Sequence, residues 1–103
     1  MSLYVGADMV LSVEGLADQD GNAVTGATVN ATVLESDAST EVTGVTWPVT
    51  LGDDGGGDYS GVIDDAVEIT VGELYWIRID ISGGGADDQR WQREVAQRRG
   101  FND

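Results

Sequence analysis

The side chains able to do chemistry in this sequence are nearly all carboxylates. Nineteen Asp and Glu stand against five arginines, with no His, no Cys and no Lys. That set excludes the Ser-His triad, thiol nucleophiles, lysine Schiff bases and the usual zinc ligands. What remains is carboxylate chemistry, meaning cation binding or acid–base work. Asp18-Gln19-Asp20-Gly21-Asn22 has the oxygen-rich opening of a calcium loop, but an EF-hand needs a distal bidentate Glu and flanking helices. Strand-like patterns flank this stretch, so it reads as a turn. Asp53-Asp54-Gly55-Gly56-Gly57-Asp58 offers three carboxylates, Asp53, Asp54 and Asp58, that could gather around Ca²⁺. The same glycines also make a solvated hairpin loop, and both readings stay open. Two carboxylates held roughly 5–9 Å apart in a cleft can hydrolyse a glycosidic bond, but a chain of 103 residues leaves little room for such a cleft. Gly83-Gly84-Gly85 lacks the Lys-Ser/Thr and following helix of a phosphate loop. The expectation is a protein that is not an enzyme, with no cofactor and no resident metal.

The charges are distributed unevenly. Residues 1–77 carry fourteen acids and no base, while residues 90–103 carry four arginines against Glu94 and Asp103. A net charge of -14 has the wrong sign for a phosphate backbone, so nucleic acid is not expected as a partner. No apolar run approaches the ~20 residues of a membrane helix, and the first residues lack the basic and apolar regions of a secretory signal. The chain opens on methionine, and the expectation is a complete protein made in the cytoplasm. The arginines stand among aromatics: Arg90-Trp91-Gln92-Arg93, then Arg98-Arg99 and Phe101. Arginine and tryptophan together are the composition of interface hot spots. Arg90, Trp91, Arg93, Arg98, Arg99 and Phe101 are therefore the expected docking residues, joined by Trp76, which stands beside Arg78. Against this stands a plainer reading in which Trp91 packs inside and the arginines screen neighbouring acids.

Period-two alternation marks the elements that must carry these residues. Met9, Leu11 and Val13 share one face, as do Val29, Ala31 and Val33. So do Val45, Trp47, Val49 and Leu51, then Tyr59 and Ile63, and then Tyr75, Ile77, Ile79 and Ile81. Trp91, Arg93 and Val95 share a face of the last segment. Pro48 falls inside a predicted strand, which marks an edge or a bulge. Tyr59, Tyr75 and Trp47 are expected in the core. Glycine, 15 of 103 residues, is about twice the usual ~7% and concentrates between the apolar runs. Six or seven short strands separated by turns predict an all-β antiparallel sandwich over residues 1–95, with a short C-terminal arm over 96–103. Residues 93–99 are the single helical candidate, with a strand end and loose arm as the alternative.

One stretch also carries a family signature. Asp18-Gln19-Asp20-Gly21-Asn22-Ala23-Val24-Thr25-Gly26-Ala27-Thr28-Val29 resembles bacterial immunoglobulin-like domains, which often show Asp-x-x-Gly-Asn-x-Val-x-Gly-Ala-x-Val between their first two strands. Gly57-Asp58-Tyr59 ahead of a strand is a second point of likeness. The Cys-Trp-Cys hallmark of the wider family is absent, as it generally is from bacterial and viral members. In the opening Leu3-Tyr4-Val5-Gly6-Ala7-Asp8 and the later Gly57-Asp58-Tyr59-Ser60-Gly61, the chain also resembles small accessory virion proteins of tailed bacteriophages. That resemblance implies an immunoglobulin-like β-sandwich and a structural role at the head-to-tail connector, the neck or the tail. It implies other virion proteins as partners, and multiple copies in a symmetric assembly. Capsid decoration and a non-viral binding or adhesion module, Ca²⁺-stabilised or not, are the alternatives.

Overall fold

The computed structural model describes residues 3–5, 8–83 and 87–98. The fold is all-β, with no helix among the described residues. Eight strands follow in order: β1 (Tyr4–Val5), β2 (Met9–Val13), β3 (Thr28–Leu34), β4 (Val49–Gly55), β5 (Asp58–Ile63), β6 (Leu74–Ser82), β7 (Asp88–Val95) and β8 (Gln97–Arg98). Six of them form one antiparallel sheet in the order β2-β5-β4-β3-β6-β7, and β1 pairs with β8 in parallel.

The sheet curls into a half-barrel, and β4 is where it turns over. Val49–Leu51 pair with β3, whereas residues 52–55 pair with β5. A register shift between Asp53 and Gly55 adds the local twist that a bulge supplies. The two wings thus face each other, and their inward side chains fuse into one core. Met9, Leu11, Val13, Leu51, Tyr59 and Ile63 from one wing pack with Val29, Ala31, Val33, Tyr75, Ile77, Ile79 and Ile81 from the other. The alternation in β2 and β6 is the one expected for a strand with a single buried face.

Residues 18–29 and the stretch around Tyr59 bond to each other. Asp18 closes its own turn, its carboxylate accepting from the Asp20 and Asn22 N–H groups. The Tyr59 hydroxyl, fully buried, donates to the Val24 carbonyl at 2.9 Å and accepts from the Ala27 N–H at 3.2 Å. The Leu16 N–H donates to the Gly57 carbonyl, and Gly57 lies so close to Leu16 that a Cβ would sit 2.5 Å from its carbonyl oxygen. With φ at 88°, Gly57 is also in the left-handed region that other residues rarely adopt.

Several expectations need correction. The third predicted strand begins at Val49, not Val45, because Pro48 cannot donate to a ladder. Trp47 is half-buried against the core rather than within it, and its indole N–H donates to the Val42 carbonyl. The helical alternative for the C-terminus does not occur over residues 93–98: Arg93, Glu94 and Val95 complete β7. Ala96 is buried, and Gln97 and Arg98 pair with Tyr4 and Val5.

Candidate docking surface

Inward isoleucines on β6 leave Leu74, Trp76, Arg78 and Asp80 on its outer face. Pairing with β7 then decides who stands beside whom. Trp76 lies opposite Arg93, Arg78 opposite Trp91, Leu74 opposite Val95 and Asp80 opposite Gln89. The result is an alternating square of two tryptophans and two arginines. The indoles meet edge-to-face at 6.0 Å with an interplanar angle of 83°. The Arg78 guanidinium lies 5.9 Å from the centre of the Trp91 ring, and that of Arg93 lies 5.6 Å from Trp76. Each arrangement is one the ring quadrupole favours.

The square is held at its rim. Arg78 forms an ion pair with Asp80 at 3.0 Å. Asp80 also accepts from the Gln89 side-chain amide, whose oxygen in turn accepts from the Trp91 indole N–H at 3.1 Å. Beneath it, Leu34 and Thr32 on β3 stand opposite Trp76 and Arg78, both 1% exposed. Leu34 lies outside the main core cluster, so this outer face covers apolar surface of its own. Trp91 itself remains 43% exposed. A half-solvated aromatic platform flanked by guanidinium groups has the chemistry to receive carboxylates and apolar groups together.

The sequence-predicted docking residues divide. Trp76, Trp91 and Arg93 meet in the square. Arg90 does not, because it is one residue out of phase: it stands opposite Ile79 on the other face of β7 and pairs with Asp88 at 3.2 Å. There it rims a cleft of about 340 Å³ between β2 and β7, which Trp91 also lines, with Ser12, Val13, Glu14, Ile77, Ile79 and Gln92. Arg98 is placed by its backbone in β8, and Arg99 and Phe101 lie outside the described residues. Arg78 was missed as a site residue. Its alternation with Trp76 puts it on that face from sequence, but its place on Trp91 follows only from the β6–β7 register.

The acidic loops do other work. Asp53 accepts from the Gly26 and Gly55 N–H groups, Asp54 from the Ser60 hydroxyl and Asp58 from the Gly15 N–H. Each of these carboxylates is thus bonded to its own set of partners. The Gly26 N–H, then that of Gly55, hold Asp53 below its ordinary pKa. Asp37 is lowered in the same way by the Thr40 hydroxyl and by the Thr40 and Ser39 N–H groups. The carboxylates that do meet among the described residues are Asp8, Asp64 and Asp65, with oxygens within 4.8 Å of one another and all exposed. Asp8 accepts from the Asp65 N–H across 57 positions of sequence, a pairing no local pattern could reveal. Asp65 is pushed above its ordinary pKa by Asp64 first and Asp8 after it, while the Ala66 N–H holds Asp64 down. As oxygen-only ligands these three suit a hard cation.

The chain matches no known protein-family pattern, no curated protein and no solved structure.

Proposed function

We propose that this chain is an immunoglobulin-like docking module without catalytic activity, serving as a structural component of a tailed-bacteriophage virion at the connector, neck or tail. The observation that carries the docking reading is the Trp76–Arg93–Trp91–Arg78 square, an exposed aromatic and cationic platform on an otherwise acidic chain. The immunoglobulin-like reading draws support from the pairing of β2 with β5, of β3 with β6 and of β6 with β7, with β4 shared between the wings. It also draws support from Tyr75, at the start of β6, whose hydroxyl accepts from the Thr70 N–H at 2.7 Å in the manner of a tyrosine corner. The virion reading rests on the likeness of Leu3-Tyr4-Val5-Gly6-Ala7-Asp8 and Gly57-Asp58-Tyr59-Ser60-Gly61 to small phage accessory proteins, and the immunoglobulin-like reading on that of residues 18–29. The partners are other virion proteins, with the acidic remainder limiting non-specific association through self-repulsion.

Quantitative mass spectrometry of purified particles tests the reading. A few copies per particle indicate the neck or tail, hundreds indicate capsid decoration, and absence overturns the virion role in favour of a cellular binding module. In the same particles Trp91→Ala should cut incorporation sharply, since a hot-spot tryptophan is worth ~2 kcal/mol or more, about 30-fold in affinity. Val71→Ala, which removes an exposed apolar group away from the platform, should not. Undiminished incorporation of Trp91→Ala overturns the docking face.

A further inference from the structure

Strand β7 breaks the pattern that the rest of its wing obeys. On its inner face it stands opposite the inward Tyr75, Ile77, Ile79 and Ile81 of β6, yet the residues there are Glu94, Gln92, Arg90 and Asp88. The apolar core therefore stops at the β6 isoleucines. Beyond them the cleft of about 340 Å³ opens between β7 and the end of β2. Inward charge by itself blunts an edge strand. Around this cleft the polar groups also keep bonding capacity in hand.

Four polar side chains line it. The Ser12 hydroxyl and the Glu14 carboxylate make no hydrogen bond or ion pair among the described residues. Arg90 bonds to Asp88 through Nε, which leaves its η amino groups as donors. Gln92 donates its side-chain amide to Glu94, which leaves its side-chain oxygen as an acceptor. Val13, Ile77 and Ile79 supply the apolar lining, together with Trp91.

These features select a ligand. An anion finds no net positive site, because Asp88 already neutralises the Arg90 guanidinium and Glu14 adds a further carboxylate. A cation meets that same guanidinium. A purely apolar ligand would strip water from a hydroxyl, a carboxylate, a guanidinium and an amide without replacing their hydrogen bonds. What fits is a neutral molecule that donates and accepts at neighbouring positions and turns one apolar face to an aromatic ring. That is the chemistry of a pyranose. Each hydroxyl donates and accepts, so a carboxylate or an amide can bridge two neighbours, and the axial C–H groups pack on the electron-rich face of an indole. The volume lies at the lower end of the ~300–1,000 Å³ of small-ligand sites, which suits a single sugar residue.

We infer that the β2–β7 cleft binds one residue of a neutral oligosaccharide. Glu14 and Gln92 accept from its hydroxyls, Arg90 donates to them, and Trp91 packs on its C–H face. This goes beyond the docking of a protein on the Trp–Arg square and stands without it, Trp91 being the residue the two share.

NMR titration of the isotope-labelled full chain with cellotetraose, chitotetraose and maltotetraose, each to about 10 mM, tests the inference. At least one of these neutral sugars should shift the Gln92 side-chain amide and the backbone amides of Ser12, Glu14 and Arg90, saturably and with a Kd of about 1 mM or tighter. Glu14→Ala and Gln92→Ala should each weaken that binding about tenfold or more, since each removes an acceptor. Val71→Ala, which does not line the cleft, should leave it unchanged. Both cleft positions are exposed; should either variant lose its cooperative melt, Ser12→Ala reads the same cleft. The absence of a saturable shift with every sugar overturns the inference. So do shifts confined to residues outside the cleft, or binding that Glu14→Ala and Gln92→Ala leave intact. Free leucine, a zwitterion with an apolar side chain, is titrated alongside, and a stronger response to it than to any sugar overturns the inference as well. Ser12, Glu14 and Gln92 stand outside the square, so these results are separate from the fate of Trp91→Ala in the particle.

Discussion

Tyr59→Phe removes one oxygen atom from the most constrained point of the fold. The ring is fully buried and its hydroxyl makes two bonds, donating to the Val24 carbonyl and accepting from the Ala27 N–H. Phenylalanine keeps the packing and orphans both backbone groups. Val24 is buried, so its carbonyl bears the full cost of a lost partner, about 1–3 kcal/mol. Ala27 is half-buried, and its bond is the longer of the two, so it adds nearer ~0.5–1 kcal/mol. The sum is roughly 2–3 kcal/mol, a large part of the ~5–15 kcal/mol that holds a domain of this size together. Tyr75→Phe is the internal control: its hydroxyl serves one partner, the N–H of exposed Thr70, and should cost about 1 kcal/mol or less. Urea unfolding followed by tryptophan fluorescence reads both. With a slope of ~1–3 kcal/mol/M, Tyr59→Phe moves the midpoint down by roughly 1–2 M. A cost below ~0.5 kcal/mol, or a cost for Tyr75→Phe equal to that of Tyr59→Phe, would refute the role given to this hydroxyl in joining residues 18–29 to the β4–β5 turn.

Glycine and aspartate variants test the turns. Gly57→Ala should cost roughly 2–4 kcal/mol, because its methyl meets the Leu16 carbonyl and its φ is positive, while the adjacent Gly56→Ala, with open space around it, should cost nearer ~1 kcal/mol. Equal melting temperatures for the two would contradict the contact. Asp53 and Asp37 titrate below their ordinary value of 3.8 in the fold, so the stability they contribute is complete above that pH and is lost as pH falls through the lower folded values. Asp53→Asn should lower the melting temperature at pH 7 by the same amount with and without calcium; protection by calcium of the wild-type chain but not the variant would assign that loop to a metal instead. Asp65 is shifted upward, so its sign is opposite: it destabilises the fold at neutral pH, and that cost disappears as pH falls through its raised folded value. Asp65→Asn should therefore raise the melting temperature at pH 7 and have little effect near pH 3, as thermal melts across that range will show.

Alternation by itself determined the all-β class, the inward faces of β2, β3 and β6, and the outward position of Trp76, because a strand's side chains switch sides at every residue whatever it pairs with. The paired turn chemistry of Asp18, Gly21 and Asn22 was equally legible, since an Asx turn closes within a few residues. Composition alone excluded thiol and histidine chemistry. The rest depended on pairing between segments distant in sequence. Where β3 begins says nothing of whether β4 stays with it or crosses to β5, and that crossing curls the sheet and puts β2 and β7 at its two ends. Arg90 and Arg93 look equivalent in sequence, but a register fixed by eight paired residues puts one over the cleft and the other over Trp76. The loop acids looked able to gather on one another and instead found the N–H groups of Gly15, Gly26 and Gly55. Asp8 meets Asp65 only because β2 and β5 are neighbours. A local pattern sets what each side chain can do and which way it faces; only the register between strands sets what it meets.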